Sequence, residues 1–228
     1  MRQIRQAVLV GPRLCLRPLR VADVNGEYLR WLNDPQVTRY LEVGGQRSTH
    51  RTVLTYLKRF HRSKTDRIFS MIDQETGQHI GNVAINRIRS IHGTADTGLM
   101  IGRKEMWGRG YAFEAWSLIL EYAFRALGVR KMIAGAVTAN KASIATLRKL
   151  GFKQEGRFRQ EFFVNGVYED VVRFGLFKEE WLANRSRLNT RSLDAGHGFQ
   201  PLALARDAPR KGRRTGATPP RRGGAPQG

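Results

Sequence analysis

The chain has 228 residues, a formal net charge of +21 and 41% hydrophobic residues, enough apolar material for one domain of moderate size with tails. Its single cysteine, Cys15, excludes an internal disulfide framework and a multi-cysteine zinc site. No apolar run approaches the length that crosses a bilayer, and Ala7-Val8-Leu9-Val10 is too short for a signal-peptide core, so a cytoplasmic location is expected.

Residues 13–19 read as a first strand that ends at Pro18, with Cys15 as a small buried hydrophobe between Leu14 and Leu16. Ala22-Asp23-Val24 opens a helix through Tyr28, Leu29, Trp31 and Leu32, which Asn33-Asp34-Pro35 stops. Ser48-Thr49-His50 starts a second helix, with Val53, Leu54, Leu57 and Phe60 at helical spacing. Strands follow at 68–72 and 80–85. A return strand covers about Ala95 to Ile101 after the short polar link Ser90–Thr94, which predicts an antiparallel meander.

Ile101 leads into a loop whose Gly108 and Gly110 free the backbone just before another helix. That helix buries Ala112, Ala115, Trp116, Ile119, Tyr122, Ala123 and Ala126 on one face and ends near Gly128. Unsatisfied N–H groups and the positive end of the dipole make such a loop-to-helix junction a seat for a pyrophosphate. Residues 129–137 read as the next strand. Asn140 then caps a short helix closed by Gly151, and residues 152–164 and 167–177 form a hairpin across Asn165-Gly166.

The predicted fold is therefore α/β (α+β), a mixed and mostly antiparallel sheet of about seven strands flanked by about four helices. The folded domain is expected over residues 1–182. Residues 183–228 carry ten Arg or Lys against Asp194 and Asp207, a net of +8 that leaves +13 for residues 1–182. Few large apolar side chains accompany that charge, so this segment is expected to be a basic disordered tail. Its charge predicts non-specific contact with nucleic acid or ribosomes. Zinc-finger spacing and RNA-recognition signatures are missing.

Several motifs stand in that element order. They are Ala95-Asp96-Thr97-Gly98-Leu99-Met100-Ile101-Gly102, Trp107-Gly108-Arg109-Gly110-Tyr111-Ala112-Phe113-Glu114-Ala115, Asn140-Lys141-Ala142-Ser143, Leu150-Gly151-Phe152 and Glu155-Gly156. Leu16-Arg17-Pro18-Leu19, Trp31-Leu32-Asn33-Asp34-Pro35 and Tyr168-Glu169-Asp170-Val171-Val172 support them. With these blocks, residues 12–182 resemble the GNAT superfamily of acetyl-CoA-dependent N-acetyltransferases. The nearest branch holds ribosomal-protein N-terminal alanine, spermidine and amino-sugar acetyltransferases.

The resemblance implies acetyl-CoA as acetyl donor, with its pantetheine arm lying between two splayed strands as an extra strand would. Leu99, Met100 and Ile101 are the matching positions, and Gly98 is expected to permit the irregularity of the splay. The amides of Trp107, Gly108, Arg109, Gly110, Tyr111 and Ala112 would hold the pyrophosphate, with charge added by Arg103 and Arg109. Asn140 is either a helix cap or a pantetheine ligand, two roles that compete for one side chain.

Direct attack of a neutral amine on a thioester needs loss of the ammonium proton, donors for the oxyanion and a proton or dipole for the departing thiolate. Asp96 is the first candidate base, with Asp170 and Glu169 second and His92 further behind. Pairing with a nearby Arg is the alternative role of Asp96. Many relatives place a Tyr seven residues after the Asn, where this chain has Leu147. The branch resembled often has a Ser three residues after it, which Ser143 matches. No metal-ligand spacing is present.

For the acceptor, the 31–35 block resembles members that act on nucleotide-linked amino sugars, and Trp31, Tyr40 and Phe60 would suit stacking on a sugar or base. The basic charge favours an anionic small-molecule acceptor over a polyamine, and a peptide amine at a protein N-terminus is the alternative. A homodimer and a non-catalytic acyl-CoA-binding or RNA-associated regulator on the same fold complete the expectations.

Overall fold

The computed structural model describes residues 8–192, the side chains of 186–192 excepted. Eight strands form, β1 (Leu9–Val10), β2 (Leu14–Pro18), β3 (Arg67–Asp73), β4 (His79–Arg89), β5 (Thr94–Ile101), β6 (Lys131–Val137), β7 (Lys153–Val164) and β8 (Val167–Phe177), with buried and exposed residues alternating most clearly in β2, β5 and β6. They form one sheet in the order β1-β2-β3-β4-β5-β6-β8-β7. Every neighbouring pair is antiparallel except β5 and β6, which run parallel because a helix crosses between them. The helices are α1 (Gly26–Asn33), α2 (Pro35–Thr38), α3 (His50–Arg62), α4 (Tyr111–Arg125), α5 (Lys141–Lys149) and α6 (Lys178–Ser192).

One sheet face is covered by α4, whose Ala115, Ile119, Leu120 and Ala123 pack fully buried on Leu14, Met71, Val83, Ile85 and Met132. The other face carries a smaller cluster in which Tyr28, Trp31, Val53 and Leu57 from α1 and α3 meet Leu19 and Met100. No residue of β6 to β8 belongs to that second cluster. No helix among the described residues is long and apolar enough to cross a membrane.

The architecture matches the expected class, and four details differ. The helix expected to open at Ala22 begins at Gly26, capped by Asn25, behind a separate 3-10 turn at Val21–Asp23. The eighth strand is β1, two residues long and too short to show alternation. Pro35 stops α1 but also starts α2, because Asp34 accepts from Gln36 N and proline suits the first helical position. The last helix continues ten residues beyond the expected boundary at 182. Trp181 is 2% exposed, and Glu121 of α4 accepts from Trp181 Nε1 (2.7 Å) and pairs with Arg185 (3.1 Å), which docks a sequence with little apolar periodicity. The remainder of the expected tail lies outside the described residues.

Candidate active site

The site begins where β5 and β6 part. Their pairing runs from Thr94–Lys131 to Thr97–Ala134 and stops, leaving Gly98–Ile101 and Gly135–Val137 diverging with backbone groups that face each other unpaired. This is the expected splay, with Leu99, Met100 and Ile101 on its wall. Gly98 has a different task from the one expected. The ladder with β4 passes through Gly98–Ala84 without a shift in register, and a Cβ on Gly98 would touch nothing within 4 Å. The glycine therefore opens the floor of a cleft.

Beyond β5, the chain passes a single 3-10 turn at Lys104–Met106 and enters the glycine loop. Gly108 (φ 71°) and Gly110 (φ 83°) occupy the left-handed region, where a side chain costs about 1–2 kcal/mol. Gly110 is the N-cap of α4 and offers no side-chain cap. The N–H groups of Gly108, Arg109, Gly110, Tyr111, Ala112 and Phe113 donate to no described acceptor, and all six cluster at the positive end of a fifteen-residue helix. The donor row is thus displaced by one residue from the expected set. Trp107 N already donates to Lys104 O (3.0 Å), and its indole Nε1 donates to Ile101 O (2.9 Å), so Trp107 braces the loop against β5.

Arg103 has another role than the one expected of it. Its guanidinium pairs with Glu27 (2.5 Å) and Glu105 (3.2 Å) and donates to His79 O (3.1 Å), tying α1 to the loop. Arg109 meets no carboxylate among the described residues, and its carbonyl accepts from Arg13. Sequence reading missed Arg13, whose place at the loop depends on a partner 101 residues away. Glu114 accepts from Arg13 N (2.8 Å), Leu14 N (2.9 Å) and Arg13 Nε (3.0 Å), while Arg13 Nη1 donates to Arg109 O (2.9 Å). The guanidinium also lies 4.5 Å from the Tyr111 ring centre. Tyr111 donates its hydroxyl to buried Asp73 (2.7 Å), fixing the helix start.

Across the splay, Asn140 resolves the expected competition. Its Oδ1 accepts from Ser143 N (3.1 Å) as an N-cap, and Nδ2 donates to no described acceptor. Both roles fit one side chain. The Ser143 hydroxyl has no partner among the described residues, and Leu147 is fully buried beneath Phe152, so no phenol stands at that position.

A cleft of about 400 Å³ opens between the α1–α3 region and β4–β5, lined by residues that include Tyr28, Leu32, Glu42, Arg47, Tyr56, Asn82, Asn86, Gly98, Leu99 and Met100. Among the described residues, Glu42 is the only carboxylate on its wall. The aromatic residues lining it are Tyr28 and Tyr56 rather than Trp31, Tyr40 and Phe60. Trp31 is 6% exposed and packs on the bare Cα of Gly102, where a Cβ would lie 2.0 Å from its ring. Phe60 packs on Tyr56 in a tilted arrangement (ring centres 4.8 Å apart), and the Tyr40 hydroxyl donates to Ala139 O (3.4 Å). Burial raises both cleft phenols above their ordinary range, most strongly at Tyr28, so they stay protonated donors at neutral pH. Burial also lowers the pKa of His79 behind them, which leaves that ring neutral.

Of the candidate bases, Asp96 lies on the cleft side of the sheet, opposite Asn86 on β4. Its Oδ2 accepts from Arg173 Nη2 (2.7 Å), and its Oδ1 has no described partner. Arg173 reaches it from β8 by lying flat over Gly135 of β6, where a Cβ would sit 2.7 Å from Nη1. Asp170, three residues before Arg173 on the same strand, faces the opposite side. The Gln160 N–H and then the Arg157 guanidinium hold its carboxyl below the usual range, in contacts that close the β7 bulge. A carboxylate so held and so turned is removed from the reacting centre. Glu169 accepts from Thr138 (2.8 Å), and His92 sits exposed in the β4–β5 link, away from the cleft lining.

A family model described as an acetyltransferase (GNAT) domain matches residues 13–153. The uncharacterized N-acetyltransferase p20 of Bacillus licheniformis is 31% identical over 175 residues, 76% of this chain and 97% of that protein. The spermidine N(1)-acetyltransferase of Escherichia coli K12 is 31% identical over 169 residues, 74% of this chain and 88% of that protein. A GCN5-related N-acetyltransferase structure from Brucella melitensis superposes with TM-score 0.68 at 25% identity, covering 81% of this chain and 85% of that one.

Proposed function

The chain belongs to the GNAT family of acetyl-CoA-dependent N-acetyltransferases, and from that premise we propose that its acceptor is a primary amine on a polar, anionic body such as a nucleotide-linked amino sugar. The observation that carries this reading is the composition of the cleft. A polyamine brings two or more positive charges, whereas among the described residues Glu42 is the single carboxylate on a wall that also holds Arg47, and Asp96 beside the cleft is already paired with Arg173. Unneutralised charge of that kind is expensive to desolvate. Two tyrosines and the amides of Asn82 and Asn86 suit hydroxyls and ring faces instead.

The donor seat follows from groups left without partners. The six free amides from Gly108 to Phe113 match a pyrophosphate, Asn140 Nδ2 matches an amide carbonyl, and the unpaired edges of β5 and β6 match an extended chain that hydrogen-bonds along its length. Acetyl-CoA bound there supplies an activated thioester. The residues of the protein hold the amine beside it, which contributes through proximity. Asp96 Oδ1 accepts from the ammonium and passes its proton to solvent. The Ser143 hydroxyl is the donor for the departing sulfur, its rotor being uncommitted.

A second reading, a polyamine acceptor, is favoured by Glu42 and by the similarity to the spermidine enzyme. Release of free CoA thiol, measured with amino sugars, their phosphorylated and nucleotide-linked forms, spermidine and an N-terminal peptide, separates the readings. The highest kcat/KM is expected with an anionic amino sugar. Spermidine as the best acceptor would establish the second reading. CoA binding without turnover of any amine would make the chain a non-catalytic acyl-CoA binder.

A further inference from the structure

We propose that Arg173 selects the acceptor by binding an anionic group, a carboxylate or a phosphate, carried close to the reacting amine. This rests on the reading that the amine enters on the Asp96 side of the sheet.

Three features set Arg173 apart from the other basic residues. It is anchored, since Asp96 holds Nη2 at 2.7 Å while the remaining donors, Nε and Nη1, meet no described acceptor. Its path is prepared by the missing side chain of Gly135, across whose Cα the guanidinium lies. It also stands beside the point where β5 and β6 part, with its side chain 30% exposed. A guanidinium held by one nitrogen on a rigid strand, with two donors uncommitted, is preorganised for planar recognition of an oxyanion. On the cofactor side, Arg103 is spent on Glu27 and Glu105 and Arg13 on Glu114, which leaves Arg109 at the glycine loop as the unpaired cation there among the described residues.

The Asp96–Arg173 pair then reads both ends of one acceptor. Asp96 Oδ1 takes the ammonium and Arg173 takes the anion. Because the two side chains touch, the amine and the anionic group must sit on neighbouring atoms of the acceptor, as in a 2-amino sugar 1-phosphate or an α-amino acid. Spermidine has no such group.

The test is initial-rate kinetics on matched pairs, glucosamine 1-phosphate against glucosamine and an α-amino acid against its amide, for wild type, Arg173→Gln, Arg173→Lys and Gly135→Ala. Wild type is expected to prefer the anionic member of at least one pair by about tenfold or more in kcat/KM, and the pair that shows it tells phosphate from carboxylate. Arg173→Gln should collapse that preference, mainly through KM, and Arg173→Lys should restore part of it. Gly135→Ala, which displaces the guanidinium without removing it, should lower the preference in the same direction and serves where Arg173→Gln fails to fold. Equal losses on both members of a pair, or an anion preference unchanged in Arg173→Gln and Gly135→Ala, would overturn the role of Arg173 while leaving the anionic acceptor standing. Wild type with no anion preference in either pair would overturn this inference, and spermidine as its best substrate would overturn the acceptor reading as well.

Discussion

Asn140 shows how much one side chain does at this site and how little of that a sequence can display. Its place before a helical pattern made it a cap, and its resemblance to a family position made it a ligand. The structure shows Oδ1 capping the helix through Ser143 N, while Nδ2 meets no described acceptor and is free for the proposed second role. The two functions are therefore separable by substitution. Asn140→Asp keeps an oxygen for Ser143 N and loses the donors, so it should melt near wild type while raising KM for acetyl-CoA. Asn140→Ala should lose about 1 kcal/mol of stability in addition. Thermal melts and acetyl-CoA saturation curves on both variants check this, and equal KM values for Asn140→Asp and wild type would remove the ligand role. Pairing of Asp96 with an arginine was legible, but the partners of Asp96 and Arg103 were not, because Arg173 is 77 positions from Asp96 and Glu27 is 76 from Arg103. Ion pairs across such distances leave no local pattern.

Among elements, the central strands were readable because burial on one face imposes a period, and α4 because its apolar run, buried from Leu118 to Phe124, is too long for a strand. Turn chemistry carried the hairpin at Asn165-Gly166 and the glycine loop, where positive φ angles require those residues. The elements that escaped lack periodic burial: β1 is too short, α2 is one turn, and α6 is held by Glu121 rather than by an apolar stripe. The 3-10 turn Val21–Asp23, ahead of α1, depends on a similar polar clasp. Burial pushes the Asp23 carboxyl up, but Arg17, the Arg20 N–H and the Ser70 hydroxyl outweigh it and lower it from 3.8 to about 2. A depressed folded-state pKa gives stability that is present above the unfolded value and is lost as pH falls through the folded one. Wild type should therefore lose stability between about pH 4 and pH 2 partly through this group, and Asp23→Asn should flatten that segment of the curve. The same variant should cost on the order of 3 kcal/mol at neutral pH, since it leaves Arg17 without its carboxylate. Denaturant melts across that pH range measure both effects.

At the scale of the molecule, one topological event organises the rest. A single parallel pair in an otherwise antiparallel sheet needs a crossover helix, and that helix sets its N-terminus beside the gap where β5 and β6 part. Donor seat, splay and cleft thus come from one connection, and the excess of positive charge draws polyanions toward it. The proposed donor side was legible in the sequence because backbone chemistry there demands glycines and a cap in fixed order. The proposed acceptor side was not, since the side chains of α1, α3, β4, β5 and β8 assigned to it meet only through the whole fold. The most direct test of the account is the ratio of kcat/KM for acetyl-CoA to that for S-acetylpantetheine, which lacks the pyrophosphate, in wild type and in Gly110→Trp. Two or more charge-assisted hydrogen bonds from the loop predict a wild-type ratio of about 100 or more and its collapse in the variant, with S-acetylpantetheine turnover largely kept. An unchanged ratio in Gly110→Trp, or a wild-type ratio near unity, would contradict it.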